Sequence, residues 1–492
     1  MPAPFDLVIR HGRVYDGSGA AAVAGDVAVL GDRIEQVGVV TERGAVELDV
    51  GGLAVSPGFI DVHTHDDFAV VLDPEVRFKT LQGVTSEVVG NCGMGAAPFG
   101  MASLVAGAFH PGRPLPEWEG YSGYLERFAA EPASLNVAAL VGHGTVRGTV
   151  LGGDARRPNH AELGRMRELV REGLDAGAVG YSSGLIYEPG RHADTDELVA
   201  LAEELADAGG LYATHMRDEG QGLLEAVAEA ISIGERAGVP VQISHHKAAG
   251  KPAWGLVRHS LRLLEDARER GVRVTADQYP YTAGSTILRA VVQNAERLGA
   301  EEGAGQTVIV VDAPNQSEVE GKSLAALAEA WGCDSVTAAE RVLESDPNAW
   351  VVMHSMNEAD ICTVMRHPTT MIGSDGIPTD GGKPHPRLYG TFARVLGHYV
   401  REGVLSLEEA VHRMTGFPAE TFGLEGRGRL TPGAFADLVV FDPARIDDVS
   451  TYGAPRQHPR GIHHVFVNGT AIVRDGEHTG ARPGRALRRA GV

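Results

Sequence analysis

A chain of 492 residues is too long for one small core, and its 43% apolar and 22% charged residues are ordinary for a soluble globular protein. Lys and Arg total 44 against 65 Asp and Glu; a formal net charge of −21 repels a phosphate backbone or an anionic bilayer, which argues against nucleic-acid and membrane partners. No run approaches the ~20 apolar residues of a spanning helix, no secretory pattern opens the chain, and Cys92, Cys333 and Cys362 lack the spacing of a disulfide framework, so the expected compartment is the cytosol.

From Phe5 to about Ala54 the chain reads as short β-rich segments broken by turn residues: DLVIRHGRVYDG, DVAVLGDRIEQVG and VELDVGGLAVSPG. The same style returns near the other end in GRLTPGAFADLVVFD and HHVFVNGTAIVRDGE. The pattern predicts a small β-sandwich domain shared by residues 1–57 and 421–480, with the Arg-rich ending at 481–492 as a flexible tail.

Residues 58–420 have another rhythm, in which short apolar runs alternate with helical segments such as AELGRMRELVREGLDAG. The predicted strands are PGFIDVH, TSEVVGN, VAALVG, AVGYSS, LYATH, VQISH, VRVTADQ and MIGSD. Eight strands with intervening helices predict an α/β fold, a (β/α)8 TIM-like barrel. The seventh gap is too long for one crossover, so residues from about 291 to 350 are expected to form an insertion.

Barrel chemistry gathers at the C-terminal ends of the strands. The first predicted strand ends in His63-Thr-His65, the second in Gly90-Asn-Cys92, the fifth in His215, the sixth in His245 and the eighth in Asp375. Side chains alternate along a strand, so His63 and His65 point the same way and can share an ion. A lone cysteine after a strand reads first as a small buried hydrophobe, and a lone strand-end histidine says little. Jointly, imidazoles, a thiolate and a carboxylate at one barrel mouth suit one or two zinc ions.

PGFIDVHTHDD, VVGNCG, VGHGTVR, YSSGLIYEPG, ATHMRDEG, ISHHK, DQYPYTAGST and IGSDG, in this order along nearly the whole chain, resemble the D-aminoacylases (N-acyl-D-amino-acid deacylases) of the amidohydrolase superfamily. The resemblance implies a tight zinc site at Cys92, His215 and His245, with Cys92 in place of the bridging Lys or Glu of more distant relatives. It implies a weaker second site at His63 and His65, and Asp375 as general base and acid. It also implies that Lys247, Tyr279 and Ser285 grip the α-carboxylate of a small-molecule N-acyl-D-amino acid. His143, Arg217 and Tyr187 divide evenly between lining and structure.

After AGST, family members continue into an LPPW-like segment and a long helical insertion, whereas this chain reads ILRAVVQNAERLGAEEGAGQTVIVV and is shortened. Arg289 falls in that divergent stretch, where an acidic substrate side chain would meet it; a solvent-facing arginine is the plainer reading. Two rivals stand beside the deacylase: a cyclic-amide hydrolase of the hydantoinase or dihydroorotase kind, and a non-catalytic scaffold. The first usually carries a carbamoylated Lys at the end of strand four, where this chain has YSSG. The second should have lost ligands, yet every expected position is filled.

Overall fold

The structure, a computed structural model, describes residues 3–293 and 304–489. The N-terminal side supplies β1 (Phe5–Val14), β2 (Val23–Leu30), β3 (Arg33–Gly38), β4 (Gly44–Asp49) and β5 (Ala54–Pro57). The chain then enters a parallel series: β6 (Phe59–Asp61), β7 (Val84–Val89), β8 (Asn136–Gly142), β9 (Gly180–Gly184), β10 (Leu211–His215), β11 (Val241–Ile243) and β12 (Val274–Gln278). Next come β13 (Gly284–Ile287), β14 (Val308–Asp312) and β15 (Trp350–Met353), an antiparallel three-stranded sheet in the order β13-β15-β14. β16 (Thr370–Ile372) returns to pair in parallel with β12. The last strands are β17 (Leu438–Phe441), β18 (Ile462–Val467), β19 (Thr470–Arg474) and β20 (Glu477–His478).

The eight parallel strands run in the order β16-β12-β11-β10-β9-β8-β7-β6, the (β/α)8 barrel expected from the alternation of apolar runs and helices. They are buried along nearly their whole length, as strands covered on both faces must be. The helix at His160–Asp175 shows how the outer ring is specified. Asn159 and Glu162 form a reciprocal capping box at its start, and Met166, Leu169, Val170 and Leu174 make its buried stripe.

Closure between β6 and β16 is made just past the strands. His65 N donates to Gly376 O (3.0 Å), Asp375 N donates to His63 O (2.7 Å), and Thr64 bridges Gly376. Beneath this seam the buried Lys79 ammonium donates to Asp61 Oδ2 and Ser374 Oγ, both at 2.5 Å. The seam therefore ties together the two segments that carry His63, His65 and Asp375.

The strands of the two chain ends form one nine-stranded sheet, joined where β5 pairs antiparallel with β17 from Ala54↔Phe441 to Pro57↔Leu438. The insertion has its own small core, with Leu324, Leu327, Ala338 and Val342 packed on Val308, Val310 and Val351. The part of the expected insertion at 294–303 lies outside the described residues, as do 490–492.

The described part of the ending expected to be loose, up to residue 489, is instead bound at the N-terminal ends of barrel strands. Arg485 O accepts from Val137 N (2.9 Å), and Leu487 N donates to Val137 O (2.7 Å). Leu487 is buried in the same cluster as Val88, Leu140 and Leu211, and Arg488 and Arg489 donate to the carbonyls of Ala176 and Ala208. A buried leucine within an Arg-rich ending joins it to the barrel's apolar cluster, and composition alone does not reveal it.

Candidate metal centre

Cys92 sits in a tight turn, Asn91–Gly93, immediately after β7. The glycines around it are required: a Cβ on Gly90 (φ +83°) would lie 2.3 Å from Leu140 O, and one on Gly93 (φ +76°) would lie 2.9 Å from Gly184 N. Cys92 itself has φ 54°, His245 φ 35° and Asp375 φ 49°, left-handed conformations that non-glycine residues avoid. Such strain costs on the order of 1–3 kcal/mol per residue and gathers at functional sites.

Together these turns draw the strand-end residues into one buried cluster. Cys92 Sγ lies 3.4 Å from His63 Nε2, 3.7 Å from His215 Nδ1 and 3.6 Å from His245 Nε2. A tetrahedral zinc with Zn–S of about 2.3 Å and Zn–N of about 2.0–2.1 Å sets sulfur and nitrogen ~3.6 Å apart. The His215 and His245 spacings match that edge, so the donor set fits one such ion. Three overlapping groups have donor atoms within 4.8 Å of one another: Cys92 with His215 and His245, Cys92 with His63 and His65, and His63 with His245 and Asp375.

Burial alone would raise the Cys92 thiol, but the charge of His63 and the close imidazoles of His215 and His245 hold it well below its usual value, favouring the thiolate that binds metal. Burial would likewise raise the Asp375 carboxyl. Arg387, whose Nη1 lies 2.8 Å from Asp375 Oδ2, outweighs it with help from His245 and His65 and holds the group well below the carboxylate range. Asp375 Oδ1 faces His65 Nε2 at 3.3 Å and His63 Nε2 at 3.6 Å.

The other residues singled out from sequence fall in three places. Lys247 and Tyr279 stand together, the ammonium 5.6 Å from the Tyr279 ring centroid, with the Arg387 guanidinium 4.5 Å from the same ring. The buried Tyr279 hydroxyl has no hydrogen-bond partner among the described residues. Ser285, on β13, adjoins that group through its backbone: its carbonyl accepts from Arg387 Nη2 at 3.3 Å, while its Oγ donates to Val351 O at 2.9 Å. Arg289 lines a cavity of about 210 Å³ that opens on Cys92 and is otherwise largely apolar, with Met101, Phe109, Ile287 and Trp350 among its walls.

Tyr187 also lines this cavity, its ring centroid 5.0 Å from that of His215 and its hydroxyl 3.1 Å from Thr286 Oγ1. His143 and Arg217 each bind a carboxylate. His143 Nε2 is 2.9 Å from Glu197 Oε1, and Arg217 makes a two-pronged contact with Glu229 at 3.0 and 2.9 Å.

Three residues of the site escape the sequence reading. Glu219 Oε1 is 2.9 Å from His245 Nδ1 and 2.6 Å from Lys247 Nζ. Asp277 accepts from His245 N (2.8 Å) and lies 3.3 Å from His63 Nδ1. Arg387 holds Asp375. Asp277 is the penultimate residue of β12 and was within reach of the strand-end rule. Glu219, four residues past His215, and Arg387, which opens the helix Arg387–Arg394, carried no signal beyond their charge.

Residues 46–473 match the model of a family described as the amidohydrolase family. The chain is 42% identical to a D-aminoacylase of Alcaligenes xylosoxydans xylosoxydans, over 99% of this chain and 98% of the relative. It is 41% identical to an N-acyl-D-glutamate deacylase of the same organism, with the same coverage. Its fold superposes with a TM-score of 0.88 on a crystal structure of N-acyl-D-glutamate deacylase from Bordetella bronchiseptica, in complex with zinc and a phosphonate mimic of the reaction's tetrahedral intermediate. That pair is 38% identical, over 98% of this chain and 99% of the other.

Proposed function

The chain belongs to the amidohydrolase family, and from that premise we propose that it hydrolyses N-acyl-D-amino acids to a carboxylate and a free D-amino acid, with zinc as its metal. The observation that carries this reading is the thiolate with two imidazoles at tetrahedral spacing, set between an ionised aspartate and a cationic, hydroxyl-bearing cradle. Cys92, His215 and His245 would hold the tight ion, and His63 and His65 a weaker one. Zinc, when bound, polarises the amide carbonyl and makes water a competent nucleophile near neutral pH.

Asp375 presents Oδ1 to the metal cluster while Arg387 fixes Oδ2, so one oxygen is free to take the proton of the attacking water and return it to the departing nitrogen. Lys247, Tyr279 and Arg387 offer two cations and a buried hydroxyl without a partner, the chemistry that recognises an α-carboxylate. Ser285 is left to support β15, because its hydroxyl hydrogen is committed to Val351.

With the carboxylate and the scissile carbonyl both anchored, only one enantiomer turns its side chain into the cavity beside Cys92. That cavity is mainly apolar, which favours medium apolar side chains such as those of D-leucine or D-methionine. A second reading rests on Arg289, which lines the same cavity and suits an acidic side chain. A cyclic-amide hydrolase is disfavoured because β9 ends in Ser182-Ser183-Gly184, with no lysine to bridge two metals. Among the described residues no helix is long and apolar enough to cross a membrane, and a cytosolic place remains our reading of the three scattered cysteines.

A hydrolysis panel of N-acetyl amino acids of both hands tests this. Far faster cleavage of apolar D substrates supports the first reading, and faster cleavage of acidic D substrates, reversed by Arg289→Ala, supports the second. Equal rates on L and D forms would sink both.

A further inference from the structure

The two imidazoles beside Cys92 meet the sulfur through opposite ring atoms, His215 through Nδ1 and His245 through Nε2. Their remaining nitrogens converge on one carboxylate: His245 Nδ1 is 2.9 Å from Glu219 Oε1, and His215 Nε2 is 3.8 Å from Glu219 Oε2. Glu219 is buried, and its Oε1 also receives Lys247 Nζ at 2.6 Å. Lys247 Nζ is itself 2.9 Å from His245 Nδ1.

This crowding poses a choice of tautomer. An ammonium has three donors and no acceptor, whereas an ionised carboxylate only accepts. If His245 Nδ1 accepts from Lys247, the ring proton must sit on Nε2, the atom that faces Cys92, and that atom cannot bind a metal. If His245 Nδ1 carries the proton and donates it to Glu219, Nε2 is bare. Lys247 is then satisfied by Glu219 Oε1 and by the His245 carbonyl at 3.0 Å. The lysine and the glutamate thus select opposite tautomers of the same ring.

We propose that Glu219 is a positioning residue that sets the tautomer of His245, overriding Lys247 by holding the ring proton on Nδ1 and leaving Nε2 free for the metal. Lys247 can then stand beside a metal ligand, where a substrate carboxylate can reach it, without disabling that ligand. The inference rests on His245 being a ligand, as argued above. Carboxylates placed behind metal-binding histidines generally contribute about 10–100-fold to metal affinity.

The test measures zinc dissociation constants by competition with a chelator of known affinity, on metal-free wild type, Glu219→Met, Lys247→Met and the double variant, with folding checked by circular dichroism. Glu219→Met should weaken zinc binding by about 10–100-fold, because Lys247 then turns to Nδ1. Lys247→Met alone should bind zinc much as wild type does. The double variant should recover most of the loss, although it lacks two polar groups instead of one. Glu219→Gln, whose amide oxygen still accepts from Nδ1–H, should lose less than Glu219→Met and serves if Glu219→Met does not fold.

Zinc binding by Glu219→Met equal to wild type would overturn the inference. So would a loss that the double variant does not repair, since that would make Glu219 a source of negative charge alone. Failure of wild type itself to bind zinc would overturn the metal reading, and the inference with it.

Discussion

The two halves of the barrel mouth hold similar residue types to different ends. On the side of β7, β10 and β11, Cys92, His215 and His245 meet at the edge length of a tetrahedral ion, with Glu219 behind both imidazoles. On the side of β6 and β16, His63 and His65 face Asp375, but the other oxygen of that aspartate is already bound by the buried Arg387 at 2.8 Å. A cation entering the second half must share the Asp375 carboxylate with a guanidinium. The first half suits keeping an ion, and the second suits keeping an ionised base, which is the physical reason a second metal should bind there more weakly.

The largest expected effect comes from breaking the first half. Cys92→Ala removes its only sulfur and leaves two imidazoles, so tight zinc binding and activity should both be lost. Metal analysis after dialysis, together with a turnover assay, checks this. A full equivalent of zinc with normal turnover would return Cys92 to the role of a small core residue.

Next in size is the loss of the base. Asp375→Asn keeps the shape and the contact with Arg387 but cannot take a proton, so zinc should stay while kcat falls by at least ~10²-fold, the low end for a positioned acid or base. Zinc leaving together with activity would make Asp375 chiefly a ligand. An unchanged kcat would remove it from the mechanism.

The contrast between the halves was only partly visible in the sequence. The eight strands were legible because short apolar runs buried on both faces stand out from amphipathic helices, and VVGNCG and PGFIDVHTH place unusual residue types at strand ends. Glu219, Asp277 and Arg387 were not singled out, since a single Asp, Glu or Arg is common. Their meaning comes from chain segments that return from far away: Arg387 meets Tyr279 across the site, and Asp277 meets His63. Ser285 shows the opposite case. Its motif suggests a substrate donor, but the pairing of β13 with β15 brings Val351 O to its hydroxyl first.

A smaller effect should follow when the second half is made more like the first. Arg387→Met frees Asp375 Oδ2 and removes the buried positive charge paired with it. Removing one partner of a buried ion pair costs about 3–5 kcal/mol, so a second equivalent of zinc should bind at roughly tenfold or more lower free zinc than in wild type. Titration of the one-zinc protein followed by metal analysis reads this directly. An unchanged second affinity would mean that Arg387 does not set the difference between the halves.

The mildest effect is expected at the residue the halves share. His63 Nε2 is 3.4 Å from Cys92 Sγ and 3.6 Å from Asp375 Oδ1, so its imidazole borders both. It is nevertheless not needed for the tetrahedral edge, which His215 and His245 supply, nor for holding Asp375, which Arg387 supplies. His63→Ala should therefore retain one full equivalent of tightly bound zinc and lose second-site affinity. Its kcat should fall by less than the ~10²-fold expected for loss of the base. Chelator competition separates the two metal affinities, and initial rates at saturating substrate give kcat. Should His63→Ala lose the first zinc as readily as Cys92→Ala does, the mouth would be one undivided binuclear site, and the division drawn here between keeping an ion and keeping a base would fail.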